Sequence, residues 1–109
     1  MRTPNDLLYG TLDLLVLRTL AWQAMHGYAI ASWIRDRTDG ALLIEDAALY
    51  KALHRLEDRG LITSEWGVSD NNRRAKYYTL APEGRRSLRA ERDAWRAYVT
   101  AVGLVLEGA

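Results

Sequence analysis

The segment EDAALYKALHRLEDRG, residues 45–60, decides how this chain folds. At about 100° per residue, the period of an α-helix, its apolar side chains collect on one face and predict an amphipathic helix. The predicted core face carries Leu49, Ala52, Leu53 and Leu56. The helix is expected to begin at Glu45 or Asp46. It is expected to end at Arg59, because Gly60 suits the left-handed position that commonly follows a helix.

The opposite face of this helix carries small, cationic and hydrogen-bonding side chains. A helix that enters the major groove of DNA contacts base edges mainly through its N-terminal turns. Tyr50 could donate to a phosphate there, and Lys51 and His54 could reach a phosphate or a purine edge. Glu57 and Asp58 would be repelled by phosphate, so only the first half of the helix is expected in the groove. Taken alone, the segment also fits the simpler interpretation of a solvated face. The predicted DNA contacts on this helix are Ala47, Tyr50, Lys51, His54 and Arg55.

A β-hairpin is predicted directly after this helix. Residues 61–66 and 75–80 are rich in β-branched and aromatic side chains, and a polar loop over residues 67–74 joins them. Strand alternation places Lys76, Tyr78 and Leu80 on one face of the hairpin. Tyr78 and Leu80 are therefore predicted to face the core.

The tip of the hairpin is cationic, with the sequence NNRRAKYY over residues 71–78. Asparagines tolerate a left-handed backbone, and an arginine on a hairpin tip can bind phosphate or enter a narrow minor groove. A solvated turn is the alternative for the tip alone. A cationic hairpin directly after a cationic helix face, however, is the arrangement by which a winged helix straddles DNA. The predicted DNA contacts on the hairpin are Asn71, Asn72, Arg73, Arg74 and Lys76.

The N-terminal part of the chain predicts two more helices. Residues 7–23 form a leucine-rich helix after a polar arm over residues 1–6, and a second helix restarts at residues 26–28. A helix that is apolar on nearly every face is buried all round. One small domain is not expected to cover all of it, so a partner surface is predicted, most simply a second copy of the chain. Residues 41–44 are interpreted as a short strand.

A long C-terminal helix is predicted from Pro82 to about Leu106. Its apolar positions, spaced by 7, 4, 3 and 4 residues from Leu88 onward, give the seam of a coiled coil. The predicted fold is therefore mainly α with a small β-hairpin: a winged helix-turn-helix over residues 1–81 and a C-terminal dimerisation helix over residues 82–109. The predicted dimer contacts are Leu8, Leu12, Leu15, Leu88, Trp95, Val99, Val102 and Leu106. Three other tryptophans are interpreted as core or domain-packing residues: Trp22, Trp33 and Trp66.

Composition narrows the classes of function. The chain has no cysteine, which excludes disulfide frameworks and thiolate zinc sites, and its two histidines make a His-rich metal site and a metal cofactor unexpected. No secretion signal is recognised, and no apolar run approaches the roughly 20 residues that cross a bilayer, so a cytoplasmic protein without membrane contact is expected. The one cluster that resembles a catalytic group is His54 with Glu57 and Asp58. Neighbouring charges on a solvated helix face explain it better, so an enzyme is not predicted.

Four stretches of the chain resemble the PadR family of bacterial transcriptional regulators. They are LLYGTLDLLVLRTL (7–20), HGYAIASWI (26–34), ALYKALHRLEDRGLI (48–62) and RRAKYYTLAPEGRRSL (73–88). The resemblance covers essentially the whole chain, and the single C-terminal helix is similar to the short PadR subfamily. It implies a winged-helix homodimer that binds a palindromic operator in double-stranded DNA, usually as a repressor. It also implies that the first and last helices make the dimer.

The resemblance also assigns roles to individual residues. Tyr50 matches the tyrosine that follows leucine in the family's recognition helix, and the basic wing matches Arg73, Arg74 and Lys76. Trp95 stands where similar proteins with a ligand pore place an aromatic that stacks on flat, hydrophobic drugs. It is therefore a candidate contact for a small hydrophobic or aromatic effector, although a tryptophan on a helix seam is more often interface core.

This sequence departs from the family pattern in two places. Many members have Gly-Thr before the Leu-Tyr pair and Pro after it, where this chain has Ala47-Ala48 and Lys51. Ala81 stands where the last helix commonly has a capping threonine. The first departure leaves the exact base contacts of the helix open, with Lys51 as a further candidate for a phosphate contact. The second removes a helix cap worth about 1 kcal/mol. The alternative function is a winged-helix module that binds protein instead of DNA, which has no need of a recognition helix and a wing that are jointly basic.

Overall fold

The computed structural model describes residues 2–108, so the outer ends of both predicted domains, Met1 and Ala109, lie outside the described residues. The chain begins with a 3₁₀ helix. It is followed by α1, β1, α2, α3, β2, β3 and α4. The bounds of these elements are Pro4–Thr11 (3₁₀), Leu12–Trp22 (α1), Met25–His26 (β1), Gly27–Arg37 (α2), Asp46–Asp58 (α3), Ile62–Val68 (β2), Arg74–Leu80 (β3) and Pro82–Glu107 (α4).

The N-terminal region differs from the single helix predicted over residues 7–23. Two elements, the 3₁₀ helix and α1, occupy this region. The prediction of a polar arm over residues 1–6 is wrong from Pro4 onward, where the 3₁₀ helix begins. The physical reason lies in the first turn, where the Asp6 carboxylate accepts a hydrogen bond of 2.6 Å from the backbone N–H of Thr3. Proline is also favoured at a first helical position because it has no N–H to leave unpaired.

Helix α1 occupies the centre of the core. Val16, Leu17 and Leu20 are each at most 3% exposed, and α1 packs against α2, α3, α4 and β3. The core face predicted for α3 is confirmed, since Leu49, Ala52, Leu53 and Leu56 are all buried. Gly60 has the expected left-handed backbone, with φ of 72°.

The sheet has three antiparallel strands in the order β1-β3-β2. The predicted hairpin is present, with Trp66 opposite Lys76, and β1 adds a third strand by pairing Met25 with Tyr78. The strand predicted over residues 41–44 is wrong. The N–H of Leu42 bonds the Thr38 hydroxyl at 3.1 Å and that of Leu43 bonds the Asn5 side chain at 2.7 Å, so neither donates to a strand.

Helix α4 is fixed at its start and exposed along most of its length. Gly84 lies so close to the backbone of Leu61 that any side chain at position 84 would collide with the Leu61 carbonyl oxygen. The same carbonyl accepts a hydrogen bond of 3.0 Å from the N–H of Ala81. These contacts fix the first turn of α4 against the start of β2. The second half of α4 extends away from the core.

Candidate nucleic-acid interface

The outward face of α3 is exposed where DNA contacts were predicted. Ala47, Lys51 and His54 are exposed, and Tyr50 is 52% exposed. The tyrosine ring lies close to Gly27, the first residue of α2. A Cβ built at position 27 would stand only 3.1 Å from the Tyr50 hydroxyl oxygen. The absence of a side chain at position 27 therefore sets where that hydroxyl lies.

Arg55 lies apart from the other DNA contacts predicted on α3. Its guanidinium donates to the Asp13 carboxylate on α1 at 2.7 Å. It also lines a groove between the N-terminal helices and α4, away from Lys51 and His54. The periodicity of α3 did not reveal this pairing because Asp13 is distant in the sequence.

The loop at the tip of the hairpin is a compact turn. The N–H of Ser69 bonds the Arg73 carbonyl oxygen, and the N–H of Asn72 bonds the Ser69 carbonyl oxygen, each at 2.8 Å. Asn72 adopts the left-handed region, with φ of 59°, a conformation that asparagine tolerates better than most residues. Asn71, Asn72 and Arg73 are all exposed at this tip.

The face of the hairpin toward α3 carries two restrained cations. The Lys76 ammonium lies 3.9 Å from the Glu57 carboxylate on α3, and Glu57 also accepts a hydrogen bond of 2.5 Å from the Ser64 hydroxyl on β2. The Arg74 guanidinium lies 4.4 Å from the ring centroid of Trp66. Glu57 thus ties α3 to the hairpin of β2 and β3, called the wing below, and the wing's cationic face lies beside α3.

Trp66 and Glu57 are functional candidates that the sequence interpretation missed. Both Trp66 and Trp22 were interpreted as core or domain-packing residues, but their side chains are 59% and 64% exposed. Trp33 is half-buried between the guanidinium groups of Arg18 and Arg37, at 5.7 and 4.8 Å from its ring centroid. Strand alternation alone could not have found Trp66, because placing it on the same face as Lys76 also requires the register of the hairpin.

The opposite face of the hairpin is braced by Tyr77. Its hydroxyl donates to the carbonyl oxygen of Val68 at 3.2 Å, and its ring covers Gly67, where a Cβ would stand 3.0 Å from the ring. The His26 ring meets Tyr77 edge-on, with 5.4 Å between the ring centroids. These contacts hold the outer half of the hairpin in one shape.

Tyr78 is buried on the core side of the hairpin, as predicted. Burial raises the pKa of its phenol above the usual 10.0, and the negative charge of Glu57 and the neighbouring Tyr50 raise it further. Tyr78 is therefore a neutral anchor of the wing at ordinary pH.

The residues predicted at the dimer interface divide into two groups. Leu8, Leu12 and Leu88 are at most 7% exposed and belong to the core of the chain itself, so they offer little surface to a partner. The exposed or half-buried members are Leu15, Trp95, Val99, Val102 and Leu106.

A groove of about 1060 Å³ lies between α4 and the N-terminal helices, and the α4 side chains that line it include Trp95, Val99, Val102 and Leu106. Leu7 and Tyr9 line its other wall, 63% and 74% exposed. The Trp95 and Tyr98 rings meet in this groove, with 6.4 Å between their centroids. The groove is therefore a large, mainly apolar surface that the single chain leaves open.

The family model described as "Transcriptional regulator PadR-like family" matches residues 16–90 of this chain. The chain belongs to that family. Members of the PadR-like family are transcriptional regulators, which places the chain in that class and not among enzymes. The predicted fold class is confirmed as well: mainly helical, with a small sheet and a long C-terminal helix.

Two solved structures of transcriptional regulators share this fold over most of the chain. A PadR family transcriptional regulator from Eggerthella lenta is 36% identical with a TM-score of 0.82, and the match covers 95% of this chain and 88% of that one. A transcriptional regulator from Clostridium thermocellum is 31% identical, also with a TM-score of 0.82, over 90% of this chain and 95% of that one. An uncharacterised protein of Lysinibacillus sphaericus is 32% identical over 105 residues, 95% of each chain.

Within residues 2–108 of this PadR-like chain, no helix is long and apolar enough to span a membrane. Within the same range, no group of three or more His, Asp or Glu side chains is arranged to hold a metal ion.

Proposed function

We propose that this PadR-like regulator is a sequence-specific repressor that binds a palindromic operator in double-stranded DNA as a homodimer. The observation that carries the proposal is the link from Glu57 to Lys76 and Ser64. It sets the cationic face of the wing beside the exposed face of α3. A module that only bound protein would not need this joint cationic surface.

The proposed DNA contacts follow from the two surfaces. The N-terminal half of α3 enters the major groove, where Lys51 and His54 reach base edges or phosphates and Tyr50 bonds a phosphate. The wing lies along the adjacent backbone, where Arg74 and Lys76 contact phosphates and Arg73 reaches toward the minor groove. We leave Arg55 out of this surface because it pairs with Asp13 on α1 and lines the groove beside α4, away from Lys51 and His54.

The proposed dimer uses the open groove beside α4. Trp95 and Val99 are 45% and 46% exposed, and Leu106 is 73% exposed. Large contiguous apolar patches on a soluble chain mark interaction sites, and a two-fold dimer suits a palindromic operator. In this proposal residues 1–81 bind DNA, and residues 82–109, together with the N-terminal helices, form the dimer.

The same groove supports a proposed effector site. Trp95 and Tyr98 present aromatic faces beside apolar side chains, a lining suited to a flat, hydrophobic or aromatic molecule. An effector that binds between the two protomers would change the distance between the two recognition helices. Repression would then be released without any change in the DNA-binding surface itself.

The test of DNA binding is selection from a random duplex library followed by titration at several salt concentrations. We expect an inverted repeat with half-sites about one helical turn apart, or a small multiple of that. Affinity should fall steeply with salt, and the double substitution Arg73→Ala, Arg74→Ala should flatten that dependence.

A matched control removes the same charge elsewhere. Arg89→Ala with Arg96→Ala changes two exposed arginines on α4, outside the proposed DNA surface, and should leave the salt dependence close to that of the parent. Salt-insensitive binding, or no binding to any duplex, would overturn the proposal and favour the protein-binding module.

A further inference from the structure

The wing carries two adjacent arginines whose surroundings differ. Arg74 lies on the same sheet face as Trp66, with its guanidinium 4.4 Å from the ring centroid. For Arg73, the structure records neither an ion pair nor a ring contact within residues 2–108, and its backbone forms part of the tip turn. One arginine is therefore held in place in the free protein, and the other is not.

Burial in the core does not explain the position of Trp66. The side chain is 59% exposed, and its cross-strand partner is Lys76, with Arg74 in the diagonal position on β3. Diagonal cross-strand neighbours on one face lie within reach of aromatic and long side chains. The tryptophan thus contacts the Arg74 guanidinium and leaves much of its own surface in solvent.

A ring restrains a cation in a different way from a carboxylate. Glu57 holds Lys76 but also cancels part of its charge toward phosphate. Trp66 is neutral, so Arg74 keeps its full charge. A stacked guanidinium also keeps its N–H donors in its own plane, free to donate to phosphate oxygens.

We infer that Trp66 is a positioning residue for DNA binding, which holds Arg74 in the orientation that contacts an operator phosphate. This inference rests on the proposed function. Preordering a long side chain lowers the entropy lost when the complex forms. Arg74 therefore makes the fixed phosphate contact of the wing, and Arg73 adapts to the DNA at the tip.

The test is a double-mutant cycle on DNA affinity with the selected operator duplex. Trp66→Ala should weaken binding about two- to five-fold, the effect of losing one exposed cation–π contact. In the Arg74→Ala background the same change should have almost no effect, because the side chain that it positions is gone. Trp66→Phe should restore most of the affinity, because it keeps an aromatic face. Trp22→Ala, at an equally exposed tryptophan on α1, is the control and should bind like the parent.

Two further measurements separate positioning from a purely structural role. Arg74→Lys keeps the charge but loses the planar stack, so it should weaken binding while the salt dependence stays the same. In the free protein, NMR should show the Arg74 side-chain protons shifted upfield by the indole ring. Trp66→Ala should abolish that shift while the amide spectrum outside the wing is unchanged.

The possible results have distinct meanings. If Trp66→Ala weakens binding equally with and without Arg74, Trp66 contacts DNA or supports the fold by itself, and the inference fails while the proposed function stands. No loss with Trp66→Ala, or no upfield shift in the free protein, also overturns it. If the parent chain binds no duplex DNA, the proposed function fails and the inference fails with it.

Discussion

The contact between Gly27 and Tyr50 shows how one missing side chain positions a functional group. A Cβ at position 27 would stand 3.1 Å from the hydroxyl oxygen and 3.4 Å from the adjacent ring carbon of Tyr50. Such a contact is too tight to be accommodated without movement, and the half-exposed tyrosine ring is the part that can move outward. Gly27 thus acts on the candidate interface through Tyr50, although it presents no side chain to DNA.

Gly27→Ala should therefore separate stability from DNA binding. Gly27 lies in the first turn of α2, where alanine is the better helix former, so the free energy of unfolding should stay the same or rise by up to about 1 kcal/mol. DNA affinity should fall several-fold because the Tyr50 hydroxyl is displaced. Thermal unfolding and operator titration measure the two effects. The control is Tyr50→Phe, in which Gly27→Ala should cause no additional loss; an equal loss there would show that the glycine acts by another route.

The residues that strand and helix periodicity predicted well are those on long, regular faces. The buried face of α3 and the core position of Tyr78 follow directly from spacing along one element. Arg55 could not be resolved in this way, because its partner Asp13 is 42 residues away in the sequence. Trp66 was interpreted as a core or domain-packing residue, and its contact with Arg74 was not predicted because it depends on a hairpin register that the sequence leaves open.

At the scale of elements, the three α-helices after the first and the hairpin were predictable because each carries a repeated pattern and clear end signals. Strand β1 has only two residues, which is too short for any period to appear. Residues 41–44 are apolar enough to suggest a strand. The backbone N–H groups of Leu42 and Leu43, however, donate to the side chains of Thr38 and Asn5. The 3₁₀ helix differs from the predicted α-helix in hydrogen bonding, which the apolar pattern does not encode.

The start of α4 is an element whose stability can be improved. Ala81 is its N-cap residue, with an extended backbone at φ of −82° and ψ of 163°, and alanine has no side-chain oxygen to accept from the first free N–H groups. Ala81→Thr should raise the free energy of unfolding by about 1 kcal/mol, because its hydroxyl caps the helix. Ala81→Val, similar in size and shape but without the hydroxyl, is the control. If denaturant unfolding showed both variants equally stabilised, capping would not be the cause.

At the scale of the molecule, the described chain measures 56 × 31 × 20 Å, elongated because the second half of α4 extends from the core. Its last turns expose apolar side chains on more than one face: Leu104, Val105 and Leu106 are each at least 72% exposed. Exposing this much apolar surface to water is unfavourable for a single chain. This exposure fits the proposal that α4 is completed by a second protomer.

Val99→Asp should convert the protein to monomers. The change puts a charge on the proposed seam, where a partner would have to bury it unpaired, and the dimer should weaken at least about tenfold. The fold of each chain should survive, because Val99 is 46% exposed in the single chain. Light scattering gives the mass, and circular dichroism checks the fold. Thr100→Asp, an exposed neighbour outside the groove, should remain dimeric. An unchanged mass in Val99→Asp would contradict the proposed interface.

The open groove beside α4 also has a consequence for gene control. If only the paired form binds the operator, its concentration rises with the square of the amount of chain whenever most chains are single. Halving the cellular amount would then reduce the active species about four-fold, by mass action. A promoter under this protein would then respond to dilution during growth more steeply than in proportion to the amount of chain. The apolar end of one helix would thus set the sharpness of a transcriptional response.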